Sequence, residues 1–248
     1  MSTIIVNSNQ INFKIEGEGE EVLVFIHGIC SEMSVWDKQV EFFSSNYKIV
    51  RFDWKDHGSS KINIPETRFD VETMARELSH VLEKLNVNMP CYIIAADLGA
   101  LVALKAEIDE IVQCKGIIGV NFADKMKIKP KYKIWRNLMD NLNLSMNEKL
   151  KRQEIFGKIK QSTVETWLQG ASSANFEHES PYINTPVDFL YAEGNPFVTL
   201  KEIEASVSRI PNSRVFTLEK GGFFPMIADP VTFSVEIKNF IEKYIPTI

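Results

Sequence analysis

The sequence predicts an α/β domain built on a mostly parallel sheet, and three observations carry that expectation. Short apolar runs of strand length alternate with helix-periodic stretches along most of the chain. The run at 22–26 is continuously apolar, as expected of a strand covered on both faces, and 91–95 and 116–120 are further strands. Helical stretches fall between them, as crossovers between parallel strands require.

In chain order, the runs at 3–6 and 11–15 flank the polar turn Asn7-Ser8-Asn9-Gln10 and predict a hairpin. Gly17-Glu18-Gly19-Glu20 is a second turn, and the fully apolar run 22–26 follows it. Trp36, Val40 and Phe43 recur at helical spacing, and 48–52 is a strand that ends at Asp53. Asp70 is a candidate N-cap for a helix whose inner face is Val71, Met74, Leu78, Val81, Leu82 and Leu85. The strand at 91–95 runs into Asp97-Leu98-Gly99, an apolar helix is expected from Ala100, and 116–120 is the next strand.

Between 125 and 179 the alternation stops. This stretch is rich in Lys, Asn, Gln and Glu, with helical periodicity around Trp135, Leu138 and Met139 and again around Trp167. It reads as an insertion of two to four helices, a cap, which divides the core domain into 1–124 and 180–248. Alternation resumes with a strand at 187–191, a helix marked by Leu200, Ile203, Val207 and Ile210, and a strand at 214–218. Asp229-Pro230 opens the last helix, whose inner face is Phe233, Ile237, Phe240, Ile241 and Tyr244.

The 248 residues carry 28 basic and 33 acidic side chains, a formal net charge of −5. With no Lys/Arg cluster, this balance argues against nucleic acid as a partner. No apolar run reaches the roughly 18 residues of a membrane span. The start of the chain lacks a basic segment and an apolar core of signal-peptide length, so a cytoplasmic location is expected. Cys30, Cys91 and Cys114 are an odd, scattered set that reads as reduced thiols. No metal or other cofactor is expected.

Three segments resemble the α/β-hydrolase superfamily. In Phe25-Ile26-His27-Gly28 a buried strand ends in a His-Gly turn. The resemblance implies that the N–H of Ile29 forms half of an oxyanion hole, with that of Leu98 as the other half. Asp53-Trp54-Lys55-Asp56-His57-Gly58-Ser59-Ser60 is similar to the family's Asp-x-x-Gly-x-Gly-x-Ser turn, with Asp56 as the departure. That turn is structural in the family, so His57 is not expected to be catalytic. Ile94-Ala95-Ala96-Asp97-Leu98-Gly99-Ala100 stands where the family has its nucleophile elbow, with Asp97 at the nucleophile position. Most members have Ser there; haloalkane dehalogenases and epoxide hydrolases have Asp.

The other two triad positions depart from the family. In Ala192-Glu193-Gly194-Asn195-Pro196 the acid position holds Asn195, and in Gly221-Gly222-Phe223-Phe224-Pro225 the histidine position holds Phe223. The four histidines are His27, His57, His80 and His178, none near that segment. Ordinary serine-hydrolase activity is therefore not expected. The first reading is non-hydrolytic acid/base chemistry by Asp97 on a small apolar or aromatic molecule: a cyclisation, elimination, decarboxylation or isomerisation. Trp36, Leu98, Phe197, Phe223 and Phe224 are its candidate pocket, and Asp124 is a candidate second carboxylate. The alternatives are an inactive ligand-binding scaffold, or an Asp-nucleophile hydrolase whose base is displaced, with His178 as a candidate.

Overall fold

The computed structural model describes residues 2–63, 69–126, 159–195 and 197–244. Eight strands form one sheet: β1 (Ser2–Val6), β2 (Asn9–Glu16), β3 (Val22–Ile26), β4 (Lys48–Phe52), β5 (Cys91–Ala96), β6 (Cys114–Val120), β7 (Val187–Ala192) and β8 (Ser213–Leu218). Their spatial order is β1-β2-β4-β3-β5-β6-β7-β8. β1 pairs antiparallel with β2, and β2 with β4. Every later pairing is parallel, with Leu23 opposite Tyr92 and Ile117 opposite Val187. All residues of β3 and β5 are buried, as their unbroken apolar sequences require.

The helices cover both faces. α1 (Asp37–Phe43), α2 (Val71–Lys84), α3 (Asp97–Ile108), α4 (Gln161–Ser173), α5 (Leu200–Val207) and α6 (Pro230–Tyr244) are the longer ones. Asp70 caps α2 by accepting from the N–H of Thr73, and Asp229 accepts from the N–H of Thr232 in the first turn of α6. α3 begins at Asp97, three residues earlier than the apolar pattern suggests. The pattern marks buried residues and so misses a polar first turn that is itself buried. Trp36 packs against Phe25 of β3 and Phe233 of α6, with ring centroids 5.3 and 6.0 Å apart. Trp36 is fully buried there, so it belongs to the core and not to a pocket.

Most of the expected cap, including Trp135, Leu138 and Met139, lies outside the described residues. Its described part contains α4. At its stem the chain leaves the core after Asp124 and returns beside it. Phe176 N–H donates to the Asp124 carbonyl, Lys125 bridges Asn175, and Lys125 Nζ pairs with Glu177 at 2.6 Å. Among the described residues, no helix is long and apolar enough to cross a membrane.

Candidate functional site

β5, β6, β7 and β8 are adjacent and parallel, so the turns after them share one edge of the sheet. Asp97, Asn121, Asn195 and Phe223 follow those strands in turn. Parallel sheets place their sites at this carboxyl edge.

Asp97 stands at a sharp strand-to-helix turn. Ala96 is extended at φ −107°, Asp97 is left-handed at φ 36°, and α3 starts at once. A non-glycine residue held there is strained and persists because its surroundings fix it. Its carboxylate supplies the fixing. Oδ1 accepts from the N–H of Ile29 at 2.8 Å and from the N–H of Leu98 at 2.5 Å. The resemblance implied these two N–H groups as oxyanion-hole donors, and in the structure both close on the protein's own side chain. Among the described residues, Oδ2 accepts no hydrogen bond. Gly28 makes the fit possible, since a Cβ on it would stand 1.9 Å from Oδ2. Asp97 is 5% exposed, and burial pushes its carboxyl up to about 6. The two N–H donors act the other way, and desolvation wins.

Two histidines brace this corner. His27 Nε2 accepts from the N–H of Trp54 at 3.0 Å, while Nδ1 lies 2.7 Å from the Gly28 carbonyl. His57 Nε2 accepts from the N–H of Cys30 at 3.4 Å, while Nδ1 lies 3.1 Å from the Lys55 carbonyl. Both rings are buried, and burial lowers their pKa values to about 4 and about 3. They are neutral structural groups with both nitrogens engaged. His80 and His178 are exposed on the surface.

The turns after β7 and β8 carry aromatic side chains. Asn195 Oδ1 accepts from the N–H groups of Phe197 and Val198 and closes its turn, and its buried Nδ2 has no partner among the described residues. Phe223 packs edge-on against Phe197 at 5.2 Å and Phe224 at 4.6 Å. Phe223 and Phe224 are buried, while Phe197 is partly exposed.

Asp124 has a different role from a second carboxylate beside Asp97. It is fully buried, takes two bonds from Arg209 at 2.7 and 2.5 Å, and accepts from Ser206 Oγ at 2.8 Å. Arg209 and Ser206 hold its carboxyl below the usual range. The motif reading missed Asn121. At φ 52°, it accepts from Ala192 N–H and donates to the Gly222 carbonyl, both at 2.9 Å, and so ties the ends of β6, β7 and the turn after β8. Its place as an Asn directly after a buried strand was the available signal.

Comparison with known proteins agrees with this geometry. A family model for the alpha/beta hydrolase fold matches residues 21–143. A strigolactone esterase of Pisum sativum is 27% identical over 114 residues, 42% of this chain and 40% of that protein. The (E)-2-((N-methylformamido)methylene)succinate hydrolase of Acinetobacter baylyi is 32% identical over 84 residues, 34% of this chain and 32% of that protein. The chain thus spans less than half the length of these curated relatives. Among solved structures, the enol-lactonase of Burkholderia xenovorans superposes with a TM-score of 0.83 at 14% identity, covering 97% of this chain and 100% of that one. The chain is an α/β-hydrolase-fold protein.

Proposed function

We propose that the protein acts on a small, neutral, apolar or aromatic molecule through Asp97 as a single-carboxylate general acid and base, in a reaction that needs no activated water. One observation carries this reading: Oδ1 is held by the N–H groups of Ile29 and Leu98 while, among the described residues, Oδ2 accepts from no donor. Oδ1 is thereby fixed as the carbonyl end, so a proton taken from substrate rides on Oδ2 and is returned from it. A carboxyl raised to about 6 exchanges protons readily near neutral pH. Acyl transfer by the usual triad finds neither a serine at the elbow nor a histidine at Phe223. The aromatic side formed by Phe197, Phe223 and Phe224 suits an apolar or aromatic ligand. We further assign 125–179 as a cap insertion, and the reduced thiols fit a cytoplasmic protein.

A second reading makes Oδ2 a nucleophile. It is favoured by the relatives, which are named as an esterase and a hydrolase. The two readings part experimentally. Small ketones incubated with the protein in D2O should exchange an α-hydrogen, with a rate that follows an ionisation near pH 6 and is absent in Asp97→Asn. Epoxides and alkyl halides, followed by intact mass, test the nucleophile. A stable single addition absent in Asp97→Ala, and shortened in lifetime by Phe223→His, would support it. If neither exchange nor adduct is seen, Asp97 serves a binding scaffold.

A further inference from the structure

We propose that Asp56 is a positioning residue for the site: it fastens α4 to the 53–60 turn and so steadies the loop that offers the Ile29 N–H to Asp97. The proposal rests on the reading of Asp97 as the reactive group.

Asp56 sits at φ 58°, in the left-handed region. A glycine would hold that conformation without strain, whereas an Asp there costs free energy and needs a compensating contact. Its side chain has two such contacts, both on the start of α4. Oδ2 accepts from Thr163 Oγ1, and Oδ1 meets Lys160 Nζ at 3.2 Å. The first turn of α4 has no acidic residue, and its N-cap, Lys160, gives no side-chain cap. Asp56 therefore brings to this helix terminus, from another part of the chain, the negative charge that its own sequence lacks. Lys160 is 68% exposed, so that ion pair contributes little. Thr163 is 9% exposed, and its charge-assisted bond is the main fastening.

One turn further along α4, Trp167 is buried with its ring 4.5 Å from His57, 4.5 Å from Phe69 and 6.1 Å from Trp54. His57 in turn accepts the N–H of Cys30. Cys30 is itself left-handed at φ 53°, and its neighbour Ile29 donates to Asp97 Oδ1. The contacts are thus continuous from Asp56 through Trp167 and His57 to the oxyanion-hole loop.

The test is residue-resolved amide hydrogen exchange on the full chain, which reads the loop whether or not Asp97 turns over a substrate. Failure of the acid/base reading therefore leaves this result interpretable on its own. In Asp56→Gly, which keeps the backbone relaxed, amides of α4 and those of Ile29 and Cys30 should exchange about tenfold faster. Those of β3 and β5 should not change. Thr163→Val should reproduce most of this effect and Lys160→Ala little of it. Asp56→Asn, which keeps an acceptor for Thr163, should restore most of the protection. Faster exchange in α4 with Ile29 and Cys30 unchanged would overturn the positioning role and leave Asp56 as a surface fastening. Unchanged exchange throughout, or equal acceleration in β3 and β5, would overturn the proposal entirely.

Discussion

The two halves of the site have fared differently. The half built after β3 and β5 holds the His-Gly turn, the left-handed turn at Asp97 and two converging N–H donors. The half built after β7 and β8 carries Asn195, which closes its own turn, and Phe223, which packs among aromatic rings. Backbone donors cannot be exchanged without refolding the turn that aims them, whereas a side chain on an intact turn can be replaced one residue at a time. The first half is thus tied to the fold and the second is free to vary.

Substitutions in the two halves should therefore differ in their effects. The largest effect is expected in the retained half. Gly28→Ala would drive a methyl onto Asp97 Oδ2, expel the carboxylate from its donors and cost about 3 kcal/mol or more in chemical denaturation. Asp97→Asn should act in the opposite sense. The folded-state pKa, about 6, lies above the ordinary value of 3.8, so the stability it contributes is present at low pH and lost as pH rises through 6. Removing that buried charge should raise stability at pH 7 by up to roughly 3 kcal/mol, with little gain at pH 4.

The histidine brace sharpens the contrast from the acid side. His27 and His57 have folded-state pKa values below the ordinary 6.5, so their contribution is full above that value. It is lost as pH falls toward 4 and 3. The melting temperature should therefore drop between pH 6.5 and pH 4, and more steeply in Asp97→Asn, which lacks the opposing carboxyl. The smallest effect is expected in the replaced half. Asn195→Ala removes two turn-closing bonds at a cost of about 1 kcal/mol and should leave the amide exchange of Ile29 and Leu98 as it was. A change at those two amides would show that the halves are coupled.

Much of this was legible in the sequence. The apolar runs marked the buried strands, Asp70 and Asp229 marked helix starts, and the His-Gly turn and the elbow segment singled out Ile29, Asp97 and Leu98, which the structure joins by hydrogen bonds. Trp36 was less legible, because a core aromatic and a pocket aromatic share one hydrophobic signal, and only packing against Phe25 and Phe233 separates them. Asp124 likewise looked available until Arg209, 85 residues further on, was found to occupy both its oxygens.

Which residues end each strand and open each turn could be read from the chain alone, because strand burial and turn chemistry are local patterns written over a few residues. What those residues do depends on contacts between distant parts of the chain. The structure showed that Asp97 closes on the N–H groups of Ile29 and Leu98 and has a raised pKa, and that the conspicuous His27 and His57 are neutral braces. It also showed that Asp56 reaches a helix more than a hundred residues away. Desolvation and hydrogen bonding depend on every atom brought near a group, and those atoms come from distant parts of the chain.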